Sequence, residues 1–182
     1  MATTWLTSDQ HFGHKNVIAY SKRPFADVDE MTRELVARFN AKVADGDEVW
    51  HLGDFSLDER LVPKILPLLR GRHFLVAGNH DTCHPCHKKS ENAKRRYLRY
   101  GFVDVVTEHR LGDFRLCHLP YVGDSANEPR YPEFRPVDDG AWLLHGHVHE
   151  LWKVRDKMIN VGVDPWDYTP VSLSVLEELI GT

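Results

Sequence analysis

His145, His147 and His149 stand at alternate positions at the end of the stretch Ala141-Trp-Leu-Leu-His-Gly-His-Val-His, with Gly146 among them. Neutral imidazole is the commonest nitrogen ligand of first-row transition metals. On extended backbone, side chains two apart point the same way. His147 and His149 are therefore expected to converge on one place as half of a metal site, with Gly146 allowing a sharp turn or a close approach. Alone, the stretch reads as well as a histidine-rich surface loop. The rest of the chain decides between them.

Upstream the same chemistry recurs in Asp9-Gln-His11, Gly53-Asp54, Gly78-Asn79-His80-Asp81 and His118. The candidate metal ligands are thus Asp9, His11, Asp54, Asn79, His118, His147 and His149. A mixed oxygen and nitrogen set suits Mn, Fe, Zn, Ni or Co better than an all-oxygen site suits Ca or Mg. These ligands are too many for one four-coordinate zinc. Shared between two ions about 3.5–4 Å apart, with one bridging carboxylate, they fit a dinuclear centre. Such a pair generates hydroxide at neutral pH and clamps the attacking and leaving oxygens of an in-line phosphoryl displacement.

The elements that must position these residues are legible in outline. Strands are expected over 3–8, 48–52 and 72–77, each running into one of the polar motifs. A helix capped by Asp27, with Glu30 three residues on, carries the apolar stripe Met31, Leu35, Val36, Phe39 and Val43. A second helix over 57–69 is interrupted by Pro63 and Pro67, and a third within 82–100 is closed by Gly101. Alternating strands and helices predict an α/β fold with its site at the carboxyl edge of the sheet. The second half reads mainly as strands, over 102–107, 114–119, 141–145, 158–163 and 171–175. A polar, proline-rich loop spans 123–140, and a short helix over 176–180 follows the last strand.

The 182 residues fit one domain over 1–182, with 42% hydrophobic and 27% charged residues as in ordinary globular chains. A net charge of −4 gives no global argument for nucleic acid or membrane. Twelve histidines are the unusual figure, and they point to metal or proton chemistry. No stretch approaches the roughly 20 apolar residues that span a bilayer. The N-terminal residues lack a basic segment followed by an apolar one, and three cysteines are too few for a disulfide framework. A cytoplasmic location is expected.

Asp9-Gln-His11, Gly53-Asp54, Gly78-Asn79-His80-Asp81, His118 and Gly146-His147-Val-His149 resemble, in order, the five motifs of the calcineurin-like metallophosphoesterases. The resemblance spans residues 9–149, and Ile159-Asn-Val-Gly-Val-Asp164 looks like small stand-alone bacterial and phage members. It implies a four-layer α/β/β/α sandwich. It further implies that Asp9, His11 and His149 hold the first metal and Asn79, His118 and His147 the second. Asp54 would bridge the two, and His80 would stand near the leaving-group oxygen as general acid or electrostatic stabiliser.

One departure matters. Protein phosphatases of that family carry an Asp three residues after the bridging Asp, followed by Arg and Gly, where this chain has Leu57 and Asp58. His80 thus lacks its orienting carboxylate, unless Asp58 or Asp81 substitutes, and no arginine is placed to clamp a phosphomonoester's extra charge. The expectation is a phosphodiesterase acting on small phosphodiesters or nucleotides, cyclic nucleotides among them. Two divalent transition-metal ions, manganese first, would supply a bridging hydroxide as nucleophile. The alternatives are a phosphomonoesterase, a nuclease using the basic run from Lys88 to Arg99, and a non-catalytic scaffold.

Other residues draw plainer readings. Cys83-His-Pro-Cys86-His87 is foremost an ordinary loop, with a structural zinc as the alternative and haem attachment a distant third. His51, His73 and His109 read as structural, and His145 as core or support. His14 reads as a phosphate contact or a surface histidine, and Asn160 and Asp164 as supports of the metal ligands.

Overall fold

Side chains alternate across a strand, and here both faces of the first sheet are apolar. A computed structural model describes residues 2–125 and 128–181. Its first sheet pairs β1 (Thr4–Thr7), β2 (Glu48–His51), β3 (Arg72–Val76) and β4 (Asp104–Val106) in parallel, and β10 (Val171–Ser172) joins β1 antiparallel. Val49 and Leu75 face a helical layer, while their neighbours Trp50 and Val76 face the opposite way into a second sheet. Continuous apolar strands of this kind are what a sheet covered on both faces requires.

The helical layer consists of α1 (Lys15–Tyr20), α2 (Val28–Lys42), α3 (Val62–Ile65) and α4 (Ser90–Tyr100). It buries Val17, Met31, Leu35, Phe39, Val62, Ile65 and Tyr97 against the sheet. The Asp27 side chain accepts from the Glu30 amide, and Glu30 reaches back to the Ala26 amide. This capping fixes the start of α2.

The second sheet orders β5 (Glu108–Leu111), β6 (Phe114–Cys117), β7 (Trp142–His145), β9 (Met158–Asn160) and β8 (Val154–Arg155). The pairs β6–β7 and β7–β9 are parallel and the outer two antiparallel. Leu144 and Ile159 face the first sheet, whereas Leu143 and Met158 face outward beneath Tyr121, Tyr131 and Phe134. The outward cover is therefore the loop over 120–137, whose regular structure among the described residues is one 3-10 turn, Pro132–Phe134. The chain is mixed α/β, with two mixed five-stranded sheets and, with α5 (Leu173–Ile180), five α-helices among the described residues.

Several expectations need amendment. The helix expected over 57–69 is split into 3-10 turns on either side of the one-turn α3, because Pro63 and Pro67 withhold amide donors. Within 82–100 the first residues form successive turns before α4, which ends at Gly101 with φ +123°. Strands β5 and β8 and helix α1 lacked a periodic signal and were not expected. Residues 126 and 127 of the expected 123–140 loop, and residues 1 and 182 of the expected domain, lie outside the described residues. Among the described residues no helix is long and apolar enough to cross a membrane.

Candidate metal centre

Five strands, parallel to their neighbours within each sheet, deliver their C-terminal ends to one edge, and polar residues follow each within a few positions. Asp9 follows β1, Asp54 follows β2, Asn79 follows β3, His118 follows β6, and His147 and His149 follow β7. The two sheets are joined there by a bridge between Ser8 and Gly162. The Asp9 amide donates to the Gly53 carbonyl and the His11 amide to the Asp54 carbonyl, so residues 9–12 run beside 53–55.

Strain is concentrated in this edge. Asp9 (φ 56°), His11 (51°), Asp54 (52°), His147 (71°) and His149 (48°) all adopt left-handed backbone, half of the ten non-glycine residues with positive φ among those described. Each such residue costs about 1 kcal/mol or more unless its surroundings enforce it. The motif glycines have a separate cause. A Cβ on Gly53 would overlap the Gly78 backbone, and one on Gly146 would overlap Ser8 and the Asp9 carboxylate.

Asp9 and Asp54 are buried carboxylates, and the histidines gather on them. His11 Nε2 lies 3.8 Å from Asp9 Oδ1 and 3.5 Å from Asp54 Oδ2. His149 Nε2 is 3.8 Å from Asp9 Oδ1, and His118 Nε2 is 3.4 Å from Asp54 Oδ2 and 3.1 Å from Asn79 Oδ1. Two groups could each hold an ion, Asp9–His11–His149 and Asp9–Asp54–His118. Asp54 Oδ2 sits between His11 and His118, which is where a shared ligand would be. His80, 43% exposed at its side chain, stands 3.9 Å from the same oxygen.

His147 behaves differently. Extended backbone would bring it together with His149, but both residues are left-handed and their rings face different carboxylates. His147 Nε2 faces Asp124 Oδ2 at 3.2 Å, while its amide donates to the Asp9 carboxylate. The tertiary turn, not strand alternation, sets both directions. Asp9 and His11 come together, but again through left-handed backbone and not through an extended strand.

Electrostatics follow the geometry. Burial pushes the Asp9 carboxyl up, with His149 and His118 opposing. Burial also acts to raise Asp54, but the positive imidazole of His118, with His11 and His80, outweighs it and holds Asp54 well below the carboxylate range. His118 is opposed by burial and raised by Asp54 to about 9, and its ring nitrogens face the Leu52 carbonyl and Asn79 Oδ1. Burial holds His11 well below its ordinary value.

The supports extend outward. Arg23 donates from Nε and Nη2 to both Asp164 oxygens, and from Nη1 and Nη2 to the Gln10 and Asp9 carbonyls. Asp164 faces His149 Nδ1 at 3.5 Å. Asn160 Nδ2 donates to the His149 carbonyl and its Oδ1 accepts from the Gly162 amide, so Asn160 and Asp164 both contact His149. Arg23 was not expected, since a lone arginine before a proline carries no sequence signal.

Neither candidate carboxylate reaches His80. Asp81 accepts from the Asp54, Phe55 and Gly78 amides, stapling the turn after β2 to the turn after β3, and Asp58 pairs with Arg60. Burial and the nearby Asp54 charge raise Asp81 to about 7 against those three amides. The expectation that no arginine is placed at the site is corrected: Arg130, from the 120–137 loop, borders a cavity of about 240 Å³ with His11, His14, Tyr20, Asp54, His80, His147 and His149.

The remaining histidines keep structural roles. His51 bridges Gln10 and His73 in the helical-side core, His109 stacks on Trp50, and buried His145 packs on Trp152. No group of cysteine and histidine ligands forms around Cys83 and Cys86 among the described residues. His87 Nε2 instead contacts the Asn79 carbonyl. Basic residues of α4 line a separate groove with no residue in common with the cavity.

The chain is similar along nearly its whole length to proteins of phages and archaea. It is 33% identical to the Gene 66 protein of Mycobacterium phage L5, covering 91% of this chain and 88% of that one. It is also 33% identical to protein MJ1445 of Methanocaldococcus jannaschii, covering 99% and 92%. The chain belongs to the family these relatives define. Among solved structures, the protein of unknown function AQ665 from Aquifex aeolicus matches with a TM-score of 0.72 and 26% identity, over 98% of this chain and all of that one. No family model matches.

Proposed function

We propose that the protein is a metallophosphoesterase of the calcineurin-like type, using two divalent transition-metal ions to hydrolyse small phosphoesters, diesters foremost. The observation that carries this is the donor set itself. Buried His11 has no hydrogen-bond partner for either ring nitrogen, yet it lies within 4 Å of two buried carboxylates. Leaving buried polar groups unpaired is costly, and a bound cation would satisfy all three residues at once. Asp9, His11 and His149 would hold one ion and Asn79, His118 and His147 the other, with Asp54 shared between them.

When bound, the ions would supply Lewis-acid charge against the developing phosphoryl charge and an activated water. The chain's own residues do the remainder. Asp54 brings His11 and His118 to one carboxylate oxygen, at 3.5 and 3.4 Å. His80, the half-exposed imidazole at the cavity, would give a proton to the leaving oxygen. The four-layer α/β/β/α plan belongs to the same reading and is supported by the helical layer and the two facing sheets, although the described residues that cover the outer face of the second sheet come from the 120–137 loop and not from a helix.

A phosphodiester is favoured because Leu57 leaves His80 without a dedicated carboxylate. The second reading, a phosphomonoesterase, is favoured by Arg130 at the cavity, whose guanidinium suits the extra charge of a monoester. Metal-stripped protein given Mn²⁺ should cleave bis-p-nitrophenyl phosphate faster than p-nitrophenyl phosphate. Faster monoester cleavage selects the second reading, and no turnover of either with metal bound removes both for small substrates.

A further inference from the structure

The His147 side of the centre rests on a loop that the sequence motifs do not include. Asp124 is only 8% exposed although the loop around it is largely open to solvent. Its Oδ2 receives three groups: Arg135 Nη2 at 2.6 Å, His147 Nε2 at 3.2 Å and Arg130 Nε at 3.5 Å. Two guanidinium groups already balance the carboxylate's charge, so the imidazole is not needed there as a counter-ion. What the contact does fix is the tautomer. Facing a carboxylate, Nε2 must carry the proton, and Nδ1 keeps its lone pair. Histidines that bind metals commonly donate their other ring N–H to a carboxylate in this way.

The described residues of the bracket are tied to one another and to the site. Arg135 Nη1 donates to the Pro120 carbonyl and Nε to the Arg130 carbonyl, closing the loop on itself. Phe134 lies edge-on to His84, 5.1 Å between ring centres, and Tyr131 edge-on to His147 at 6.3 Å. The loop thus ties the residues after β3 to those after β7, across the second half of the centre.

We propose that Asp124 is the positioning residue of the second half-site: by accepting the Nε2 proton of His147 it makes Nδ1 the metal-binding nitrogen, so that the 120–137 loop sets the affinity for the second ion. This rests on the two-ion reading of the centre.

Metal-stripped wild type, Asp124→Ala and Asp124→Asn, each verified as folded by circular dichroism, are titrated with Mn²⁺ by calorimetry. Two binding steps are expected in the wild type. In Asp124→Ala the weaker step should loosen about 10- to 100-fold, the usual cost of losing such a partner, with the tighter step unchanged. Asp124→Asn, which keeps an acceptor oxygen, should recover most of the loss. Nitrogen-15 NMR of the metal-free wild type should show His147 protonated at Nε2 and bare at Nδ1. An unchanged or tightened second step in Asp124→Ala, or the opposite tautomer, overturns the proposal and leaves the two-ion reading standing. A wild type that takes up one ion or none overturns both.

Discussion

His149 and His147 leave the same turn two residues apart, yet they are held by different kinds of structure. His149 is braced from within the fold, by Asp164 at its ring, Asn160 at its carbonyl, and Arg23 joining Asp164 to the backbone of Asp9. His147 is braced from outside the sheets, by a carboxylate on a long loop. On the first side the ligand atoms of Asp9, His11 and His149 already lie together. On the second side His118 meets both Asp54 and Asn79, while His147 is turned to Asp124. On the proposed two-ion reading, one motif would serve both half-sites through different supports, His149 braced by the fold and His147 by a loop.

The comparison can be broken at the residue common to both halves. Asp54→Asn should abolish uptake of both ions and lower phosphoester hydrolysis by about a thousandfold or more, since the charge stabilisation of a metal pair is worth several kcal/mol. Metal analysis of the purified variant checks this; loss of one ion alone would mean that Asp54 serves a single half.

It can be sharpened at Arg23. Arg23→Met leaves buried Asp164 with His149 as its remaining partner and should destabilise the fold by about 3 kcal/mol, read from urea unfolding. In protein that remains folded, the tighter Mn²⁺ step should weaken and the second should not. A selective effect on the second step would reverse the assignment of support to the two halves.

Chemistry and metal holding should separate at His80. His80→Ala is expected to keep both ions and lose about a hundredfold in kcat, at the lower end of general-acid effects. Metal loss in step with activity would make His80 a ligand instead of an acid.

The smallest effect concerns neither half directly. His51 and His73 are buried in contact with each other, burial holds both below their ordinary values, and so both stay neutral in the fold. The unfolded chain takes up their protons below about pH 6.5. Their stabilisation is therefore complete above that pH and is lost as pH falls toward the depressed folded values. Metal-free protein should lose about 1.4 kcal/mol per pH unit for each such histidine, and His51→Gln should flatten the slope by one histidine's share. An identical slope in the variant would place the acid sensitivity elsewhere, for example at His145, which burial lowers to about 3.

What the sequence determined by itself is the list of parts. Apolar runs ending in Asp, Asn or His before or after glycine marked strand ends with donors beyond them, because a strand's burial and its exit into polar turn residues are both local properties. The apolar stripe of α2 and its Asp27 cap were legible for the same reason. Only the tertiary structure decided how the parts face one another. Asp9, His11, Asp54, His147 and His149 take left-handed backbone that no alternation rule anticipates, because packing of loop on loop enforces it. Arg23 acts on Asp164, 141 residues away, and Asp124 on His147, 23 residues away, while Arg130 reaches the cavity shared with His11 and Asp54. An isolated arginine or aspartate in a polar stretch has no periodicity to betray it. Its role is created when two sheets bring their carboxyl edges together, and that event is global.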